Sequence, residues 1–221
     1  MPMAGKGMLL TSMDVDAADE AEFNRWYDRE HLEERVAIPG FLEARRYIAH
    51  QASPKYLCLY STADFEVLDS PAYRTKLANP TDWSVKTMAR FRNMIRSVAR
   101  ITISRGTGRG AALGLVRLRP HAAGEDAVRA SLKDQFDPAD RAGIISMHLL
   151  ESDATLSKPI AGNPGASEPG AGDWYVLIDG TDIAAIASGI AACTAAVKSA
   201  VVSKGIYRLM WDLAKSDISA A

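Results

Sequence analysis

The chain states one structural theme twice and places unusual chemistry in only one statement of it. Tyr56-Leu57-Cys58-Leu59-Tyr60-Ser61-Thr62-Ala63-Asp64-Phe65 aligns with Trp174-Tyr175-Val176-Leu177-Ile178-Asp179-Gly180-Thr181-Asp182-Ile183. Ser97-Val98-Ala99-Arg100-Ile101 aligns with Gly205-Ile206-Tyr207-Arg208-Leu209. Asp19-Glu20-Ala21-Glu22-Phe23 can be laid on Gly124-Glu125-Asp126-Ala127-Val128, a register that sets Tyr27 against Leu132 and His31 against Phe136. Polar residues in one copy and apolar ones in the other imply a single, asymmetric site. The repeats divide the 221 residues into 1–108 and 109–221, each near the size of a small domain.

Both halves carry the same order of elements. Met8–Met13 reads as a strand, and a helix from about Ala17 carries Phe23, Trp26, Tyr27 and Glu30 at three- and four-residue spacing. Leu32 and Val36 fall out of that phase, which predicts a bend or restart near His31. Pro39-Gly40 ends the helix. Strands follow over Phe41–His50 and Tyr56–Thr62, then a helical region over Phe65–Phe91 interrupted at Asn79-Pro80, then a strand over Ser97–Ser104. The second half repeats this: strand Leu113–Leu118, helix Glu125–Asp134, strands Ile144–Leu150 and Trp174–Ile178, helix Ile183–Ala200, strand Ile206–Leu213. Each half is thus β-α-β-β-α-β, the ferredoxin-like pattern. Its antiparallel sheet has helices on one face and a bare apolar face on the other, so two halves can close those bare faces together. Residues 155–172, crowded with Gly and Pro, depart from the repeat and read as a flap over a cavity or a disordered excursion.

Several function classes are excluded or disfavoured. A formal net charge of -1 carries no electrostatic footprint for nucleic acid; the basic residues between Arg90 and Arg109 alternate with apolar ones, as on a strand with one wet face. Gly106-Thr107-Gly108-Arg109-Gly110 lacks the Lys-Ser/Thr ending of a phosphate loop and reads as a linker. Cys58 and Cys193 sit in apolar contexts, without zinc or disulfide spacing. No His/Cys/Asp/Glu cluster has metal spacing, and no nucleophile elbow or dinucleotide fingerprint occurs. The chain lacks a secretory core and an apolar run of roughly 20 residues. The expectation is therefore a cytoplasmic protein that binds neither membrane nor nucleic acid.

The densest chemical text is Phe23-Asn24-Arg25-Trp26-Tyr27-Asp28-Arg29-Glu30-His31-Leu32-Glu33-Glu34-Arg35, closed by Ile38-Pro39-Gly40-Phe41 and followed by Ala44-Arg45-Arg46-Tyr47. Together with Ser70-Pro71-Ala72-Tyr73 and Asn79-Pro80-Thr81-Asp82-Trp83-Ser84, this pattern resembles the dimeric α+β barrel superfamily, and within it the EthD-like group. The resemblance covers residues 8–104; over 110–215 it rests on element order and the strand echoes. It implies an α+β fold of two tandem ferredoxin-like repeats forming an intrachain dimeric α+β barrel with a cavity for small organic molecules. The superfamily includes cofactor-independent monooxygenases, lactone isomerases, cyclases, dehydratases and decarboxylases, and haem enzymes built from tandem halves. In it the histidine ending the first helix commonly points into the cavity, here His31.

The residues themselves support the same focus. An imidazole titrating near neutrality exchanges protons at working pH, and Asp28 or Glu34 lies within helical reach to orient it. Tyr27 can donate to a developing enolate or carbonyl oxygen. Trp26, Tyr47, Trp83 and His148 are candidate cavity-lining residues. An arginine pointing inward needs an anion, a bound substrate or a paired acid; the sequence leaves open whether Arg45 or Arg46 takes that place. The first reading is an enzyme of lyase or isomerase type that moves a proton on a small aromatic or lactone-like acid, with His31, Tyr27 and Asp28 catalytic and no cofactor or metal. The alternatives are a cofactor-free monooxygenase, a non-catalytic small-molecule binder, and a haem protein ligated by His31 or His148. A homodimer is compatible with the free outer edges.

Overall fold

The computed structural model describes residues 5–135, 137–158, 171–197 and 200–218. Eight strands are built where β-branched and aromatic residues alternate: β1 (Gly7–Asp14), β2 (Phe41–Gln51), β3 (Tyr56–Thr62), β4 (Arg92–Gly106), β5 (Ala112–Leu118), β6 (Ile144–Ser152), β7 (Trp174–Gly180) and β8 (Val201–Ala214). They close into one antiparallel barrel in the order β1-β3-β2-β8-β5-β7-β6-β4.

The sequence repeat reappears as hydrogen-bond register. Gly7 faces Thr62 and Arg100, as Ala112 faces Gly180 and Arg208. After an irregularity between Phe41 and Glu43, β2 meets β3 through Glu43–Ser61 and Ala44–Tyr60; after one between Ile144 and Ser146, β6 meets β7 through Ser146–Asp179 and Met147–Ile178. A half-turn about the barrel axis therefore carries β1, β3, β2 and β4 onto β5, β7, β6 and β8. Strands β4 and β8 run longer than their apolar text suggests because each serves two partners. β4 pairs β1 through residues 92–100 and then β6 through 99–106, and β8 pairs β5 and then β2.

The helices lie outside the barrel. α1 (Glu20–Trp26) continues through a π-helical turn, Tyr27–His31, into α2 (Leu32–Val36). The Leu32 N–H reaches back five residues to the Tyr27 carbonyl, which is the predicted change of phase. The expected break at Asn79-Pro80 separates α3 (Pro71–Ala78) from α4 (Asp82–Met88), each started by a side-chain cap, Ser70 to the Tyr73 N–H and Thr81 to the Ser84 N–H. The second half contributes α5 (Glu125–Gln135) and α6 (Ile183–Ala196), and α7 (Lys215–Ile218) closes the described chain. No helix among the described residues is long and apolar enough to cross a membrane.

Strand alternation sorts the core into three bodies. Leu9, Met13, Ala44, Tyr56, Cys58 and Tyr60 face outward and pack under Phe23, Trp26, Tyr27 and Leu32. Val116, Val176 and Ile178 face outward under Ile186, Ile190 and Cys193. The lumen brings Met8, Leu10, Tyr47, Leu57 and Leu59 of one half against Leu113, Leu150, Tyr175, Leu177 and Tyr207 of the other. An eight-stranded barrel is just wide enough for its own side chains, and these fill its middle. Of the expected flap at 155–172, residues 159–170 lie outside the described residues, as does Phe136.

Candidate functional site

Residues expected at one pocket fall on two sides of a sheet. A helix laid on the outer face of a strand layer can present side chains only to that face, so His31, Tyr27, Trp26, Asp28 and Trp83 stay in the helix–sheet layer of the first half. The expectation that His31 reaches a pocket between the bare sheet faces is corrected accordingly. The arginine ambiguity resolves by alternation: Arg46 joins the helix layer, and Arg45 enters the lumen with Tyr47 and His148.

The helix layer is built around the π turn. It turns both Tyr27 and His31 inward, four residues apart, and both are buried. The His31 ring stacks on Trp26 at a centroid distance of 4.0 Å and meets the edges of Tyr27 and Tyr60 at 5.2 and 6.3 Å. Trp26 is itself fixed by its indole N–H, which is shared between Glu30 Oε1 and Ser84 Oγ at 3.1 and 3.2 Å. Arg46 is fully buried in an aromatic cage, its guanidinium carbon 4.3 Å from the centroid of Tyr27 and 5.1 Å from that of Phe23. Its nitrogens donate to Asp28 Oδ1 at 3.0 Å and Asn24 Oδ1 at 2.5 Å.

Of the two carboxylates expected to orient His31, Glu34 accepts from Lys76 through Oε1 at 3.5 Å while its Oε2 is buried without a partner, and Asp28 is engaged elsewhere. Asp28 also accepts the indole N–H of Trp211 at 3.0 Å, so it clamps Arg46 to β8 and does not orient the imidazole. Tyr27 directs its hydroxyl to Met13 Sδ at 3.8 Å. Trp83 bonds Glu22 through its indole N–H at 2.9 Å and lies under Arg25, stapling α4 to α1.

What the layer leaves free is more telling. His31 Nδ1, Tyr60 Oη, Arg35 Nη1 and Arg46 Nε are buried polar atoms without a hydrogen-bond partner, an arrangement native interiors rarely tolerate. Arg35 follows His31 by one helical turn, and Tyr60 enters from β3 beneath the ring. Three of the four atoms can only donate or are phenolic, so an oxyanion or carbonyl oxygen is the complementary group. Burial, with Arg35 and Arg46 nearby, holds His31 well below its usual pKa, so it is a neutral imidazole at pH 7. Burial likewise raises the Tyr27 and Tyr60 hydroxyls and the Cys58 thiol beside them. Arg35 and Tyr60 were not singled out from the sequence. The signals were present, as an arginine four residues after the histidine and as Tyr56-x-Cys58-x-Tyr60 alternation beneath it.

The lumen residues form a separate network at one barrel end. Arg45 donates to Tyr47 Oη at 3.0 Å and to Asp179 Oδ1 at 3.3 Å, with Glu43 3.7 Å from its Nε. Arg109 of the linker closes over Glu43. Arg45 therefore meets a paired acid, as an inward arginine requires, and ties the two halves together. His148 stands where the repeat places Arg45 in the other half. Ser146 Oγ donates to the Gly108 carbonyl, so it accepts from His148 Nε2–H at 3.0 Å, while Ser104 Oγ donates to Nδ1 at 2.7 Å. Burial and Arg45 push His148 down to about 3.

Both ring nitrogens of His148 are taken by serines, which leaves it no nitrogen for a haem iron. Among the described residues no group of three or more His, Cys, Asp or Glu side chains is placed to hold a metal ion.

The sequence matches no family model and no curated protein. Its fold, however, is shared along nearly its whole length with solved structures. An anthrone oxidase-like protein aligns with a TM-score of 0.66 at 10% identity, over 95% of this chain and 93% of the other. A provisionally named monooxygenase from Lactobacillus acidophilus NCFM aligns at 0.60 and 12% identity, over 96% and 97%. A mutant chlorite dismutase from Candidatus Nitrospira defluvii, solved with cyanide, aligns at 0.52 and 7% identity, over 94% and 92%. The chain is thus an α+β barrel of two tandem ferredoxin-like repeats.

Proposed function

We propose that the first-half helix layer is the active site of an enzyme that moves a proton on a small aromatic or lactone-like organic acid, handled without an organic cofactor. The observation that supports this reading is the set of unpartnered buried polar atoms on Tyr60, Arg35 and Arg46 together with a neutral, buried imidazole, in a layer walled by aromatic rings. His31 takes the proton through Nδ1. Its low intrinsic basicity is offset as negative charge develops on the substrate beside it. Tyr60 and Arg35 donate to the oxygen on which that charge accumulates, a stabilisation that is strong where water is excluded. Tyr27, the donor suggested by the sequence, serves with Trp26 and Asp28 to hold Arg46 and the imidazole in place. Membership of the EthD-like group belongs to the same proposal.

A cofactor-free monooxygenase is the second reading, favoured by the names of the two proteins of similar fold, one oxidase-like and one monooxygenase. It begins with the same proton removal, after which the carbanion meets oxygen. A panel of aromatic acids, lactones and anthrone-type ketones tests both, by solvent deuterium uptake at the acidic carbon and by oxygen consumption. His31→Ala should lower either rate by about 10²–10⁴-fold with an unchanged circular dichroism spectrum. Equal rates in the variant would dismiss His31 as the base.

A further inference from the structure

The barrel end opposite Arg45 holds a second, smaller arrangement that the proposed chemistry does not use. Arg117 on β5 and Tyr175 on β7 are directly opposed in register, and both face the lumen. Directly opposed side chains lie close enough to act on one group. Arg117 directs Nε to Asp173 Oδ2 at 2.5 Å, yet its Nη2 is buried and unpartnered; so is the hydroxyl of Tyr175, a residue 1% exposed. The other lumen hydroxyls at this end are satisfied: Ser12 donates to the Tyr56 carbonyl, Tyr207 to the Pro54 carbonyl, and Ser97 and Ser152 to each other or onward. Two donors are therefore left over on directly opposed residues of neighbouring strands.

The local charge is unbalanced. Asp173 is buried and accepts from Arg117 and also from Arg119, through Nε at 2.6 Å and Nη2 at 2.9 Å. Two guanidinium groups thus share one carboxylate, leaving one positive charge. Arg119 is more than half exposed while holding the buried acid, so solvent reaches the outer side of this cluster. Nothing equivalent exists in the first half, where the repeat places Ser12 at the position of Arg117 and Leu57 at that of Tyr175.

We propose that this end of the lumen binds a small carboxylate, whose oxygens take the Arg117 Nη2–H and the Tyr175 O–H. A monoanion balances the leftover charge, and a planar group suits two donors projecting from neighbouring strands better than a tetrahedral dianion.

The probe is sodium acetate, titrated calorimetrically at pH 7 and constant ionic strength against sodium chloride and sodium phosphate. Wild type should bind acetate saturably. Tyr175→Phe should bind it about tenfold more weakly, the loss expected for one charge-assisted hydrogen bond. The same variant should melt at a higher temperature without acetate, because an unpartnered hydroxyl has been removed, and that readout confirms that it folds. Arg117→Met should abolish the binding event, and Tyr60→Phe, which alters only the helix layer, should keep it. Equal acetate affinity in wild type and Tyr175→Phe, no acetate binding at all, equal response to chloride or phosphate, or a lower melting temperature for Tyr175→Phe would each overturn the proposal.

Discussion

The two helix–sheet layers are the same architecture put to different ends. In the second, β5, β6 and β7 offer Val116, Met147, Leu149, Val176 and Ile178 to the apolar stripe of α6, and the buried body is aliphatic. In the first, the positions matching Leu149, Val176 and Ile178 are Arg46, Cys58 and Tyr60, and the helix above them supplies Trp26, Tyr27, His31 and Arg35. One layer is mainly apolar, its aliphatic side chains joined by Trp174, Met147 and Cys193, and gains from burial. The other buries donors that packing leaves unsatisfied, a cost a protein sustains when a ligand or a reaction uses them. The contrast separates stability from chemistry within one chain, since the two layers share register, twist and barrel.

That contrast can be broken by experiment. The largest effect should come from the aliphatic layer: Ile186→Ala, at a fully buried position, should cost about 2–5 kcal/mol in urea unfolding. A loss below about 1 kcal/mol would mean that the second layer is not the close-packed one. The next effect is on pH. His31 and His148 are held below their ordinary pKa in the folded state, His148 at about 3. The unfolded chain takes up their protons below about pH 6.5 while the fold does not. Their contribution is thus complete above that pH and fades as pH falls, by up to about 1.4 kcal/mol per pH unit for each histidine. Unfolding free energies at pH 7 and 5 should show this slope, and His31→Phe should remove one proton's share of it. An unchanged slope in that variant would place His31 in water. The smallest effect has the opposite sign: Tyr60→Phe should stabilise the protein by about 1 kcal/mol, because the hydroxyl it deletes has no partner. A destabilised variant would mean the hydroxyl is already satisfied and would weaken the case for a site.

The strand text was legible because register is a one-dimensional property: aligning Tyr56–Thr62 with Trp174–Gly180 in sequence aligns them in the sheet. The helix bend near His31 was legible too, since Leu32 and Val36 fall out of phase with Phe23 and Tyr27. The grouping of site residues was not. Arg45 and Arg46 are adjacent in the chain but on opposite faces of β2, and the sequence carries no mark of which face looks outward. His31 does not reach the lumen, because a helix covering one face of a sheet cannot send a side chain through it. Arg35 and Tyr60 escaped notice for a related reason: a charged or phenolic residue announces a site only when its neighbours fail to satisfy it, and that is a three-dimensional fact.

The π turn at Tyr27–His31 has a corollary for how such a site can be made or lost. It accommodates one residue more than an α-helical turn, and each residue of a helix advances the side chains by about 100°. Shortening this segment by a single amino acid between Trp26 and His31 would swing His31, Leu32, Arg35 and Val36 together around the helix axis relative to Trp26, taking the imidazole off its indole stack while the barrel below kept every strand pair. A change of one codon in length, rather than any substitution, is the smallest edit that would turn the reactive layer into something like its silent twin.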